Sequence, residues 1–91
     1  MSIRFPITIK VLCEPEAKDA PYVAYIPEFD ISSCGKTEEK AKENAKQALE
    51  ITLEEIKKQG KLNEFLKEAG FSPQSRSLFP KITFEPFVFR T

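Results

Sequence analysis

The sequence predicts an α+β fold. The form expected is a two-layer sandwich in which an antiparallel three-stranded sheet plus a C-terminal strand packs on one main helix, in the order β-β-β-α-α-β. Three observations predict it. Apolar residues alternate with period two near the N-terminus and again in 82–90, and 22–26 is an aromatic strand segment between them. A stripe of alanines that grows into leucine and isoleucine runs at helical spacing from Ala41 to Ile56. Proline and glycine punctuate the boundaries at Pro21, Pro27, Gly35, Gly60 and Gly70. Strands grouped around one main helix favour two layers. A chain of 91 residues makes one domain, 1–91, with a single thin core.

Ile3, Phe5, Ile7, Ile9 and Val11 alternate with polar or smaller residues, as a half-buried strand requires. Pro6 cannot donate to a ladder, so this strand starts there or lies at an edge. Glu14 to Pro21 is a polar, proline-bounded connection, and Tyr22 to Ile26 is the second strand of an antiparallel hairpin. Pro27 ends it. Ile31 to Cys34 supplies a short third strand before Gly35 turns the chain.

Thr37 is a good N-cap, and Glu38 and Glu39 suit the positive end of a helix. Lys40 stands where a capping-box glutamate would, so no box forms. Ala41, Ala45, Ala48, Leu49, Thr52, Leu53 and Ile56 share one face. Small side chains early in this stripe predict that the N-terminal half approaches the sheet more closely. The other face carries Glu38/Lys42, Lys46/Glu50 and Glu54/Lys58, spaced for i,i+4 pairing. A shorter helix is expected over Leu62 to Ala69, stopped by Gly70. Phe71 to Pro80 is an irregular connection. In the last strand Ile82, Phe84 and either Phe87 or Phe89 are expected to turn inward.

Fourteen basic and fourteen acidic side chains cancel. A neutral domain lacks the broad positive field of nonspecific nucleic-acid binding, so nucleic acid is not an expected partner. No apolar run approaches the ~20 residues of a membrane span, and MSIRFPITIKVL lacks the h-region of a signal peptide. A cytoplasmic protein with no membrane association is expected. Cys13 and Cys34 are then expected as reduced, partly buried thiols. Two thiols without histidine do not make a usual structural zinc site.

No catalytic set is evident, and no enzyme activity or cofactor is expected. Histidine is absent, which removes the usual general base. The three glycines sit at element boundaries rather than in a phosphate loop. Glu14, Glu16, Asp19, Glu28 and Asp30 gather near strand ends. A metal-dependent nuclease built on Glu28 and Asp30 would need three or four convergent ligands, and loop carboxylates more often serve solubility. Tyr22 and Tyr25 point to opposite faces of their strand, so one is core while the other is available to an interface. Phe79, Phe84, Phe87 and Phe89 crowd the C-terminal region. One helix-covered sheet face cannot bury them all, and exposed rings point to association.

The stretch YVAYIPEFDISSCGKTEEKAKENAKQALEITLEE resembles the HicB-like antitoxin family. The family reads as a Tyr-Val-Ala strand, a Pro-acidic-hydrophobic turn, a segment around cysteine and glycine, then an N-capped helix with an Asn-Ala and an Ala-Leu pair. Those positions here are Tyr22 to Tyr25, Pro27-Glu28-Phe29, Cys34-Gly35, Thr37-Glu38-Glu39, Asn44-Ala45 and Ala48-Leu49. The resemblance implies a partial ribonuclease-H-like fold. It implies a non-catalytic domain that binds and blocks a small HicA-type RNA-cleaving toxin, as a homodimer or higher homo-oligomer. Two features depart from the pattern: Phe29-Asp30-Ile31 replaces a Leu-Pro-Gly-like turn, and Leu62 to Phe79 has no counterpart. Many members continue into a ribbon-helix-helix or helix-turn-helix module. No such pair of helices follows the last strand here, so operator binding is not expected of these residues. The expected partner surface comprises Tyr25, Glu28 and Asp30 beside the second-strand turn, with Phe84, Phe87 and Phe89. The alternative is a self-associating domain with no toxin partner.

Overall fold

Tyr22-Val-Ala-Tyr-Ile26 combines aromatic and β-branched residues with one small one, a composition that fits a pleated surface under a close helix. In the computed structural model, which describes residues 3–71 and 85–90, it is a central strand. The strands are β1 (Lys10–Cys13), β2 (Tyr22–Ile26) and β3 (Ile31–Gly35), antiparallel and ordered β1-β2-β3. Val11 pairs with Ala24, which pairs with Ser33, and Lys10 pairs with Tyr25, which pairs with Ser32. Directly opposed residues share a face. Tyr22, Ala24, Ile26 and Gly35 therefore face one way, and Leu12, Val23, Tyr25 and Cys34 the other.

Helix α1 (Glu38–Lys58) lies on the first of these faces, chiefly over β3 and β2. Thr37 is extended, and its Oγ1 accepts from the Lys40 N–H at 3.0 Å, the cap that its position predicts. Ala24, Ala41 and Ala45 have no exposed surface, so helix and sheet meet through methyl groups. Gly35 is required by the same approach. A Cβ there would stand 2.6 Å from the backbone N of Ala41. The sequence assigns Gly35 to a turn; its role here is clearance.

Helix α2 (Leu62–Glu68) closes the other end of the core. Gly70, at φ 95°, carries the chain past its C-terminus in a left-handed conformation. The Gly70 N–H then donates to the Lys67 carbonyl and the Phe71 N–H to the Leu66 carbonyl, the paired bonds of a Schellman ending. Phe71 is thereby folded back beside Leu66, and both are buried. Phe71 meets Phe5 and Phe29 at ring-centroid distances of 5.1 and 5.8 Å, and Phe29 meets Phe65 at 5.4 Å. Four rings thus complete a core that also holds the alanines together with Ile26, Leu49 and Leu66.

The first strand is shorter than its alternation predicts. Phe5, Ile7 and Ile9 do pack against the core, but pairing with β2 covers only Lys10 to Cys13, and Arg4 adds an isolated bridge. Among the described strands, β2 ends at Ile26 and pairs with no residue before Lys10. The ion pairs differ too. The expected i,i+4 pairs are replaced by Lys40–Glu43 at 3.8 Å and Lys42–Glu39 at 3.5 Å, both i,i+3. Exposed long side chains choose among partners of nearly equal energy. Both cysteines are free and exposed rather than partly buried. Cys13 ends an edge strand and Cys34 points away from the helix.

Of the expected last strand, 82–84 lies outside the described residues, as does the connection 72–80. Residues 85–90 carry no strand pairing. Phe87 is 88% and Phe89 76% exposed, so neither turns inward as expected. The aromatic core positions are occupied by Phe5, Phe29, Phe65 and Phe71.

Candidate partner-binding surface

Four residues, Pro27-Glu28-Phe29-Asp30, connect the paired Ile26 and Ile31. The Phe29 N–H donates to the Ile26 carbonyl at 3.3 Å and closes the turn. Asp30 takes φ 53°, a left-handed conformation that Asp tolerates better than most residues. This geometry sends successive side chains in different directions. Phe29 turns into the core, while Glu28 and Asp30 stay at the surface, half-buried and exposed.

Each carboxylate has its own tether. Glu28 Oε1 accepts from the Thr8 N–H at 2.9 Å. That bond supplies the partner which the ladder does not offer Thr8, and it fastens the turn to the N-terminal segment. The Tyr25 hydroxyl donates to Asp30 Oδ1 at 2.9 Å across the end of the hairpin. Its hydrogen bond to the carboxylate pushes the Tyr25 phenol above its usual value, with desolvation and the Asp30 charge adding to the effect. Tyr25 is thus held neutral, with its ring on the sheet face away from the helix.

Beside the turn lies a hollow of about 230 Å³ between it and α2. Phe29, Phe65 and Ala69 give it an apolar floor, and Glu28, Asp30 and Glu68 line its edge. Among the described residues no basic one lines it, although the chain as a whole is neutral. Glu68 and Phe65 come from α2, whose place in this surface sequence reasoning missed. The available signal was the helical spacing of Leu62, Phe65, Leu66 and Ala69, which implied a docked face but not its neighbour.

The structure therefore brings together Tyr25, Glu28 and Asp30. It does not join them to the rest of the expected surface. Phe84 lies outside the described residues, and among those described no hydrogen bond or ring contact ties Phe87 or Phe89 to the turn. Among the described residues no group of three or more acidic or cysteine side chains could hold a metal ion. Glu28 and Asp30 instead engage different protein groups. Asn44 donates from Nδ2 to the Cys34 carbonyl at 2.9 Å and clamps the first turns of α1 to β3. Among the described residues no helix is long and apolar enough to cross a membrane. No family model, curated protein or solved structure matches this chain.

Proposed function

We propose that this chain is a non-catalytic, HicB-like protein-binding domain that neutralises a small HicA-type RNA-cleaving toxin in the cytoplasm by direct binding. The observation that carries the reading is the acidic, aromatic-floored hollow on the same strand and turn that bear the family pattern. A protein that cleaves RNA presents basic side chains to phosphates. Carboxylates at Glu28, Asp30 and Glu68 complement such a surface, and Phe29 and Phe65 offer it apolar contact. Electrostatic complementarity of this kind acts mainly on association rate and partner choice.

Mixing the chain with a HicA-type toxin in an RNA-cleavage assay tests the proposal. Stoichiometric loss of cleavage is expected. The variant Asp30→Lys/Glu68→Lys should weaken inhibition about tenfold or more, equivalent to about 1.4 kcal/mol. Cleavage unaffected by excess wild-type chain, across a panel of such toxins, rejects the antitoxin reading. A second reading, self-association without a toxin partner, is favoured by the exposure of Phe87, Val88 and Phe89 at 88, 81 and 76%. Light scattering that finds a monomer at all concentrations would remove it.

A further inference from the structure

Residues 85–90 read Glu-Pro-Phe-Val-Phe-Arg, three apolar side chains between an acidic and a basic end. All six are exposed. Elsewhere in the molecule, a groove of about 360 Å³ runs between α1, α2 and the N-terminal segment. Leu49, Leu53, Leu62 and Leu66 line it, with Ile3 at its edge and 40% exposed. Exposed aromatics and an open apolar groove on one chain form a self-complementary pair.

We propose that residues 85–90 dock in this groove on a second copy of the chain, so that the same contact occurs twice in a two-fold dimer. The proposal rests on the self-association reading above and assigns it a site. Charge supports the pairing. Along α1 the groove is flanked by Lys46, Glu50, Glu54 and Lys57, in the order basic, acidic, acidic, basic. In one direction Glu85 meets Lys46 and Arg90 meets Glu54; in the other, Glu85 meets Lys57 and Arg90 meets Glu50. Lys46 and Glu54 are about 12 Å apart along the helix axis. The extended segment spans about 17 Å, a difference that the lysine and arginine side chains can cover.

The area is also sufficient. Two phenylalanine rings at their present exposure offer roughly 250–400 Å² for burial. Counted on both surfaces and for both reciprocal contacts, this gives roughly 1,000–1,600 Å². A specific interface needs about 1,000 Å² or more.

Sedimentation velocity over a concentration series tests the site, using the full chain and two variants altered only at exposed positions. The variants are Phe87→Ser/Phe89→Ser in the segment and Glu50→Lys/Glu54→Lys on the groove. Circular dichroism checks that each remains folded. A dimer in the wild type, with dissociation constants raised at least about tenfold in both variants, is the expected result. A dimer that persists unchanged in either variant overturns the arm-in-groove contact and leaves self-association standing. A wild-type monomer at every concentration, including one whose segment fills its own groove, overturns both.

Discussion

The two faces of the sheet are built on opposite rules. Toward α1, the closest contacts are between small, fully enclosed groups: Ala24 on the sheet lies under the helix that carries Ala41 and Ala45, with no Cβ at Gly35. Away from α1, Leu12, Val23, Tyr25 and Cys34 form a row of larger groups, with Leu12 49% exposed. The difference shows where this small domain can tolerate change. The helix side has almost no room, because methyl contacts fix the distance between backbones. The other side is open, and the turn that carries the carboxylates hangs from its strands. Stability is concentrated on one face and surface chemistry at the margin of the other.

The largest expected effect comes from filling the tight face. Gly35→Ala puts a methyl group 2.6 Å from a backbone nitrogen, which a rotamer change cannot relieve. The strand and helix must separate, at a cost of about 3 kcal/mol. The urea midpoint should fall accordingly, with little change in slope. An unchanged midpoint would mean that the helix can ride outward freely, and the contrast between the faces would collapse.

A smaller effect is expected on the open face. Leu12→Ser removes a half-exposed side chain that no described element covers. It should cost no more than about 1 kcal/mol in the same unfolding experiment. A loss of several kcal/mol would show that this face is covered in solution, and would move it to the first category.

The tight face was largely legible in the sequence. Alanine at Ala41 and Ala45 states the close approach directly, and Thr37 marks the helix start because a hydroxyl there satisfies a free N–H. The span of β2 was equally plain, since Tyr22 to Ile26 is bounded by two prolines. Phe29 was harder. It sits in a turn, where an apolar residue reads as exposed, and only the left-handed Asp30 beyond it explains how it enters the core. The length of β1 was illegible for a related reason. Alternation reports which side chains face inward, as Phe5, Ile7 and Ile9 do, but says nothing of whether a neighbouring strand is there to pair. The acidic hollow needed the position of α2 against the turn. Local spacing does not specify contacts between residues as distant in the chain as Glu28 and Glu68.

The smallest effect is expected at the hairpin end, where Tyr25 leaves the open face to reach Asp30. Asp30 accepts the phenol's hydrogen bond and adds a negative charge beside it, and both favour the neutral phenol. A pKa raised in the folded state stabilises the fold fully below the unfolded value, about 10, and that contribution is lost as pH rises through the folded value. Alkaline conditions should therefore release the turn before they disturb the methyl-packed face. Asp30→Gly removes the acceptor and the charge together while glycine tolerates the left-handed backbone at φ 53°, so the Tyr25 phenolate should form at lower pH, as read from ultraviolet absorbance in a base titration. Since the pair lies at the surface and the backbone is not strained, the urea midpoint at neutral pH should move little. A Tyr25 titration unchanged in Asp30→Gly would show that the hydroxyl is not held by Asp30 in solution. The turn would then be fixed by Glu28 and Phe29 alone.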